Sequence, residues 1–117
     1  MNSVNPLSAW ESALVGVPGY WIVRGTVKDS EAFEIYAQRW LPIAESHGAR
    51  YLTAGGRHET PEGVDFDRVV IVEFPSFEVA RRCYYSPEYQ DLLQYTRVAY
   101  DREVTIVDVD DRYESPS

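Results

Sequence analysis

One cysteine, Cys83, cannot close an intrachain disulfide, and two histidines, His47 and His58, are all that the chain offers as imidazole ligands. A disulfide scaffold is therefore excluded, and Cys83, on an apolar helical stripe, reads as a small buried hydrophobe rather than a nucleophile. A strand separates the two histidines, so they match no metal-ligand spacing and no metal site is expected. The Gly55-Gly56 pair lacks the pattern that cradles phosphate, and no strand, glycine-rich turn and helix unit follows it, so no nucleotide cofactor is expected. No serine sits in a nucleophile elbow. Long hydrophobic runs are missing too, as is a basic segment ahead of an apolar run at the N-terminus, so no membrane partner is expected and the chain is placed in the cytoplasm. Basic residues are few, 11 against 19 acidic ones, and the resulting net charge of −8 speaks against nucleic acid as a partner.

What is present is material for one packed domain: 117 residues, 44% hydrophobic and 14% aromatic. Residues 1–18 stand apart as an N-terminal arm or short helix, with Leu7, Trp10 and Leu14 on one narrow stripe, ended by Pro18-Gly19. Tyr20 to Val27 is rich in β-branched and aromatic residues and predicts a strand. Asp29 caps a helix whose stripe is Phe33, Tyr36, Ala37, Trp40, Ala44 and His47, with Pro42 expected to kink it and Gly48 to stop it. Arg50 to Gly55 and Val69 to Phe74 predict two further strands around a turn region. The run Glu73-Phe74-Pro75-Ser76-Phe77-Glu78 stops a strand and starts a helix: Pro75 cannot donate to a ladder, and Ser76 caps the helix after it. Ser86-Pro87-Glu88 restarts a second helix by the same means. The predicted helices are Phe77 to Tyr84 and Pro87 to Tyr95. Glu103 to Val109 is the last predicted strand, and 110–117 reads as a disordered acidic tail.

The order strand, helix, strand, strand, helix, strand is the split βαβ arrangement, an α+β fold with an antiparallel four-stranded sheet and its helices on one face. The strands carry apolar groups on both sides, and no spare element covers the second face, so a homodimer is expected to bury it. Residues 19–109 resemble the small bacterial proteins of domain-of-unknown-function family 1330. The carriers are Gly19-Tyr20-Trp21, Tyr36 with Pro42, His47-Gly48, Arg50-Tyr51-Leu52, Ala54-Gly55-Gly56, Glu59, Glu73-Phe74-Pro75-Ser76 and Ser86-Pro87-Glu88-Tyr89. The resemblance implies a ferredoxin-like fold and a dimeric α+β barrel, a group that also holds antibiotic-biosynthesis monooxygenases. It implies no particular reaction.

Candidate site residues come from ionisable groups at strand ends and from the surplus of hydroxyl-bearing aromatics. Arg57-His58-Glu59 follows the glycine pair, where a cleft would form; His58 is a base near neutral pH, and the resemblance favours Glu59 at this place. The plainer reading is a solvated turn. Glu73, in an otherwise apolar strand, is either a catalytic carboxylate or a structural partner of Arg24 or Arg81. Tyr20, Tyr36, Trp40, Tyr84 and Tyr89 are either core or the lining of a wet cavity, whose hydroxyls need partners. Catalytic Glu59, His58 and Glu73, with Tyr20, Tyr36, Trp40, Arg57, Tyr84 and Tyr89 binding substrate, describe a cofactor-free enzyme. It would act on a small aromatic or acidic-proton substrate by oxygenation, cyclisation or isomerisation. The alternative is a non-catalytic dimeric module for a small ligand or a protein.

Overall fold

The computed structural model describes residues 17–109; the expected N-terminal helix and acidic tail lie outside the described residues. Strand β1 (Gly19–Val27) leads into helix α1 (Ser30–Ser46), then strands β2 (Arg50–Ala54) and β3 (Arg68–Phe74), helices α2 (Phe77–Tyr85) and α3 (Pro87–Ala99), and strand β4 (Tyr100–Asp108). The sheet order is β2-β3-β1-β4, with every neighbouring pair antiparallel. This is the α+β arrangement read from the sequence, with the second helix of the unit broken in two.

Local chemistry accounts for the joints. The Asp29 carboxylate accepts from the Ala32 amide at 3.0 Å to cap α1, and Gly48, at φ 68°, takes the left-handed turn past its end. Ser76 caps α2 by accepting from the Val79 amide at 3.1 Å. Ser86 serves both sides of the break: its Oγ donates to the Cys83 carbonyl at 2.8 Å and accepts from the Tyr89 amide at 3.2 Å. Pro42 lies inside α1 without ending it.

Alternation sorts β1, β3 and β4, while the register of β2 shifts between Tyr51 and Thr53. Trp21 and Val23 of β1 face the helices beside Val70, Val72 and Phe74 of β3, all buried. Trp21 is the hub: its ring stacks on Trp40 at 5.1 Å and meets Phe74, Tyr84 and Tyr89, and its indole N–H donates to the Ala80 carbonyl at 2.9 Å. The opposite face carries Tyr20, Ile22 and Arg24 beside Glu73, Ile71 and Val69. Its apolar groups concentrate on β1 and β3; on β4 the same face carries Glu103 and Thr105 as well as Val107. The second face is therefore mixed, not uniformly apolar as the strand composition suggested.

Several element boundaries move, β1, β2, α2 and the end of β4 by a single residue. Strand β3 begins at Arg68 and β4 at Tyr100, earlier than the apolar runs indicated, and α3 continues to Ala99 because Thr96 and Ala99 extend its buried stripe. The added strand residues are polar or charged, and it is pairing with β1 that makes them strand.

Candidate functional site

Between α1 and the helix-facing side of the sheet lies a cavity of about 140 Å³. Helix α1 supplies one wall through Phe33, Tyr36, Ala37 and Trp40, and the floor is Trp21, Val23, Val70 and Val72. Arg68, Tyr100 and Arg102 close one end, and Tyr51 of β2 stands at the side. The spacing of Phe33, Tyr36, Ala37 and Trp40 places them on successive turns of one helix face, which is why one stripe both roofs the cavity and meets the core.

The polar groups form short chains. The Tyr36 and Tyr89 hydroxyls share a hydrogen bond of 2.7 Å, and Arg102 Nη2 donates to the Tyr89 oxygen at 3.0 Å. Arg68 Nε donates to the Tyr100 oxygen at 3.2 Å, and the Trp40 indole N–H donates to the Tyr51 oxygen at 2.8 Å. The guanidinium of Arg68 lies over the Phe33 ring at 5.5 Å, and that of Arg102 lies 5.6 Å from the rings of both Tyr36 and Tyr100. Burial pushes the Tyr36 hydroxyl well above its ordinary value of 10.0, with the adjacent Tyr89 hydroxyl adding to the rise. Burial also raises Tyr89, against the pull of Arg102, and raises Tyr51. At neutral pH these hydroxyls therefore keep their protons and serve as hydrogen-bond donors.

Backbone economy makes room for this end of the cavity. Gly25 of β1 pairs with Arg68 on one side and Arg102 on the other. A Cβ at Gly25 would stand 2.6 Å from Tyr100 Cε1 and 2.7 Å from Arg102 Cβ, so the ring of Tyr100 crosses the strand only because a glycine lies beneath it.

The residues singled out by sequence are only partly brought together. Tyr36 and Trp40 line the cavity. Tyr89 is fully buried behind it and holds Tyr36 and Arg102 in place. Tyr84 packs edge-on to Trp21 and borders a separate groove between α2 and β4. Tyr20 is on the opposite face of the sheet, where its hydroxyl reaches Glu73 at 3.4 Å. Glu73 is ion-paired with Arg50 at 2.5 Å, its cross-strand neighbour, and not with Arg24 or Arg81; Arg24 pairs instead with Glu103. Arg57, His58 and Glu59 are exposed on the loop between β2 and β3, and none of them lines the cavity. His58 ties that loop together, its Nε2 lying 2.9 Å from the Phe66 carbonyl. Burial first, and Glu88 second, push the Cys83 thiol up to about 12, so it stays protonated.

Arg68, Tyr100, Arg102 and Tyr51 escaped the sequence reading. The first three sit at strand starts that looked like turn, and the available signal was Gly25, a lone glycine inside a strand of bulky residues. Among the described residues no three His, Cys, Asp or Glu side chains cluster as metal ligands would, and no helix is long and apolar enough to cross a membrane.

Comparison with known proteins places this geometry in a wider group. The family described as Domain of unknown function (DUF1330) matches residues 18–109. No curated protein matches the sequence. Among solved structures, a protein of unknown function from Rhodopseudomonas palustris is similar at a TM-score of 0.65 and 18% identity, over 79% of this chain and 82% of that one. SnoaB, a cofactor-independent oxygenase from Streptomyces nogalater, is similar at 0.57 and 16% identity, over 86% and 98% of the two chains. A dimeric ferredoxin-like protein of unknown function from Thermobifida fusca is similar at 0.51 and 14% identity, over 79% and 91%. At these identities the likeness is one of fold, and the fold is ferredoxin-like.

Proposed function

The chain belongs to the DUF1330 family, and for it we propose that the cavity under α1 is the substrate site of a cofactor-free enzyme acting on a small planar molecule with an acidic proton. The observation that carries this reading is the cavity itself: about 140 Å³, walled by aromatic rings and fringed by protonated tyrosine hydroxyls. An engineered apolar cavity of about 150 Å³ accepts benzene, so one six-membered ring is the right scale for the occupant. Ring faces would hold the substrate flat, and hydroxyl and guanidinium donors would stabilise an oxygen that gains negative charge as the proton leaves. That an oxygenase needing no cofactor shares the fold supports the class by analogy alone.

His58 and Glu59 stand outside the cavity, so the chemistry relies on the acidity of the substrate. The same feature favours a second reading, a non-catalytic pocket for the same kind of ligand, because among the described residues neither imidazole nor carboxylate lines the cavity. A panel of single-ring phenols and enols tests both. Binding is followed by quenching of tryptophan fluorescence, since Trp21 and Trp40 line the cavity, and turnover by dioxygen uptake and product analysis. Ala37→Phe fills the space from the α1 wall and is expected to abolish binding. Phenols that bind wild type and Ala37→Phe alike would refute the cavity as the site, and binding without turnover across the panel would favour the non-catalytic reading.

A further inference from the structure

Arg68, Gly25 and Arg102 form one cross-strand row toward one end of the sheet. Alternation turns both arginines to the helix-facing side, where both line the cavity. Two strand spacings of about 4.8 Å separate their backbones; Gly25 puts no side chain in the gap, and the Tyr100 ring, not a carboxylate, lies over it. Like charges so placed repel across a partly desolvated space, and a structural arginine pair would ordinarily be interleaved with carboxylates.

None is present. The described ion pairs are Arg24–Glu103, Lys28–Asp101, Arg50–Glu73 and His58–Asp65, and neither Arg68 nor Arg102 takes part in any of them. Their hydrogen bonds among the described residues go to tyrosine oxygens, one for each arginine, which leaves most of the five N–H donors of each guanidinium uncommitted. Carboxylates are not scarce, with 19 acidic residues in the chain. Asp101 and Glu103 flank Arg102 in sequence, yet alternation sends both to the other face, where Lys28 and Arg24 engage them. The sheet thus sorts its acids away from the cavity and leaves two cations in it.

We propose that the ligand of this cavity is a planar monocyclic carboxylate, bound as its anion with Arg68 and Arg102 as counter-ions and its ring against Tyr36 and Trp40. The inference rests on the cavity being the ligand site and adds the charge of the molecule that enters. Planar fork geometry suits guanidinium to a carboxylate, and against a net charge of −8 for the whole chain two cations in one cavity would draw in an organic anion.

Benzoate and benzamide are the probes, being alike in shape and differing in charge. Calorimetric titration of wild type is expected to show benzoate binding about ten- to a hundredfold more tightly than benzamide, with added salt weakening benzoate alone. Arg68→Met is expected to weaken benzoate about tenfold or more and to leave benzamide unchanged, while Arg68→Lys restores part of the loss. Arg102→Met is expected to act likewise; because Arg102 also holds Tyr89, Arg102→Lys and the salt dependence of wild type carry the test if the methionine variant does not fold. Equal binding of the two probes would overturn the anionic ligand and leave the cavity standing as a site for neutral rings. Failure of both probes to bind at millimolar concentration would overturn the inference and the cavity reading together.

Discussion

Tyr89 shows how a single residue couples core and site. Its ring meets Trp21, Trp40 and Tyr84, while its hydroxyl bridges Tyr36 and Arg102. Tyr89→Phe keeps the ring and leaves the buried Tyr36 hydroxyl and one Arg102 donor without that partner, an expected loss of about 1–3 kcal/mol. Thermal unfolding should register it as a fall of roughly 4–8 °C per kcal/mol for a domain of this size. The raised tyrosine and Cys83 values add a pH prediction whose sign is fixed. Groups held protonated by burial contribute stability that is fully present below their ordinary values, 10.0 for tyrosine and 9.0 for the thiol, and that is lost as the pH rises from there through the folded values. Melting temperature should therefore decline from about pH 9 upward with the contribution of these groups, and Tyr36→Phe should flatten the fall. Glu59 is the contrasting case: exposed on the loop between β2 and β3, it should tolerate Glu59→Gln with phenol or benzoate affinity changed by less than about twofold, the scale of a screened surface charge. A loss of two to four orders of magnitude in turnover would instead restore it as a base.

At the scale of elements, β1 carries most of the organisation. Its odd-numbered residues build the core, its even-numbered residues face away, and Gly25 leaves the gap over which Tyr100 lies. Gly25→Ala introduces one methyl group into contact distances of 2.6–2.7 Å, so the Tyr100 ring or the strand must shift. Overpacking of this kind costs about 1–3 kcal/mol, which urea unfolding would measure, and the displaced ring should also weaken ligand binding. Helix α1 carries the opposite wall, and its proline sits on the exposed side away from the cavity. The break between α2 and α3 turns on Ser86, whose hydroxyl serves both helix ends, with Pro87 at the first position of α3.

Among the described residues, one sheet face has no helix over it. Ile22 and Ile71 are direct partners at its centre, and the ion pairs Arg24–Glu103 and Arg50–Glu73 stand toward its margins. An apolar centre with a charged rim is the layout of a protein interface, and one solved structure of the same fold, from Thermobifida fusca, is described as dimeric. Light scattering is expected to give a homodimer at micromolar concentration, and Ile71→Glu should shift it to a folded monomer by placing an unpaired charge at that centre. A wild-type monomer would leave the Ile22 and Ile71 pair without an occupant.

Periodicity, caps and breakers act over a few residues, so the strands, the helix starts at Asp29, Ser76 and Ser86, the order of elements and the ferredoxin-like fold were legible in the sequence. The same pattern placed Tyr36 and Trp40 on one inward stripe. What it could not give was register, because which residues stand beside Gly25 depends on how three strands distant in the chain align. Only that alignment makes strand of Arg68 and of Tyr100-Asp101-Arg102, segments whose charge reads locally as turn. Only it sends Tyr20 and Glu73 to the far face and pairs Glu73 with Arg50. The sequence by itself determined the fold and half of the cavity wall; tertiary structure decided the charge inside the cavity, because alternation on each strand is local while the meeting of two strands is not.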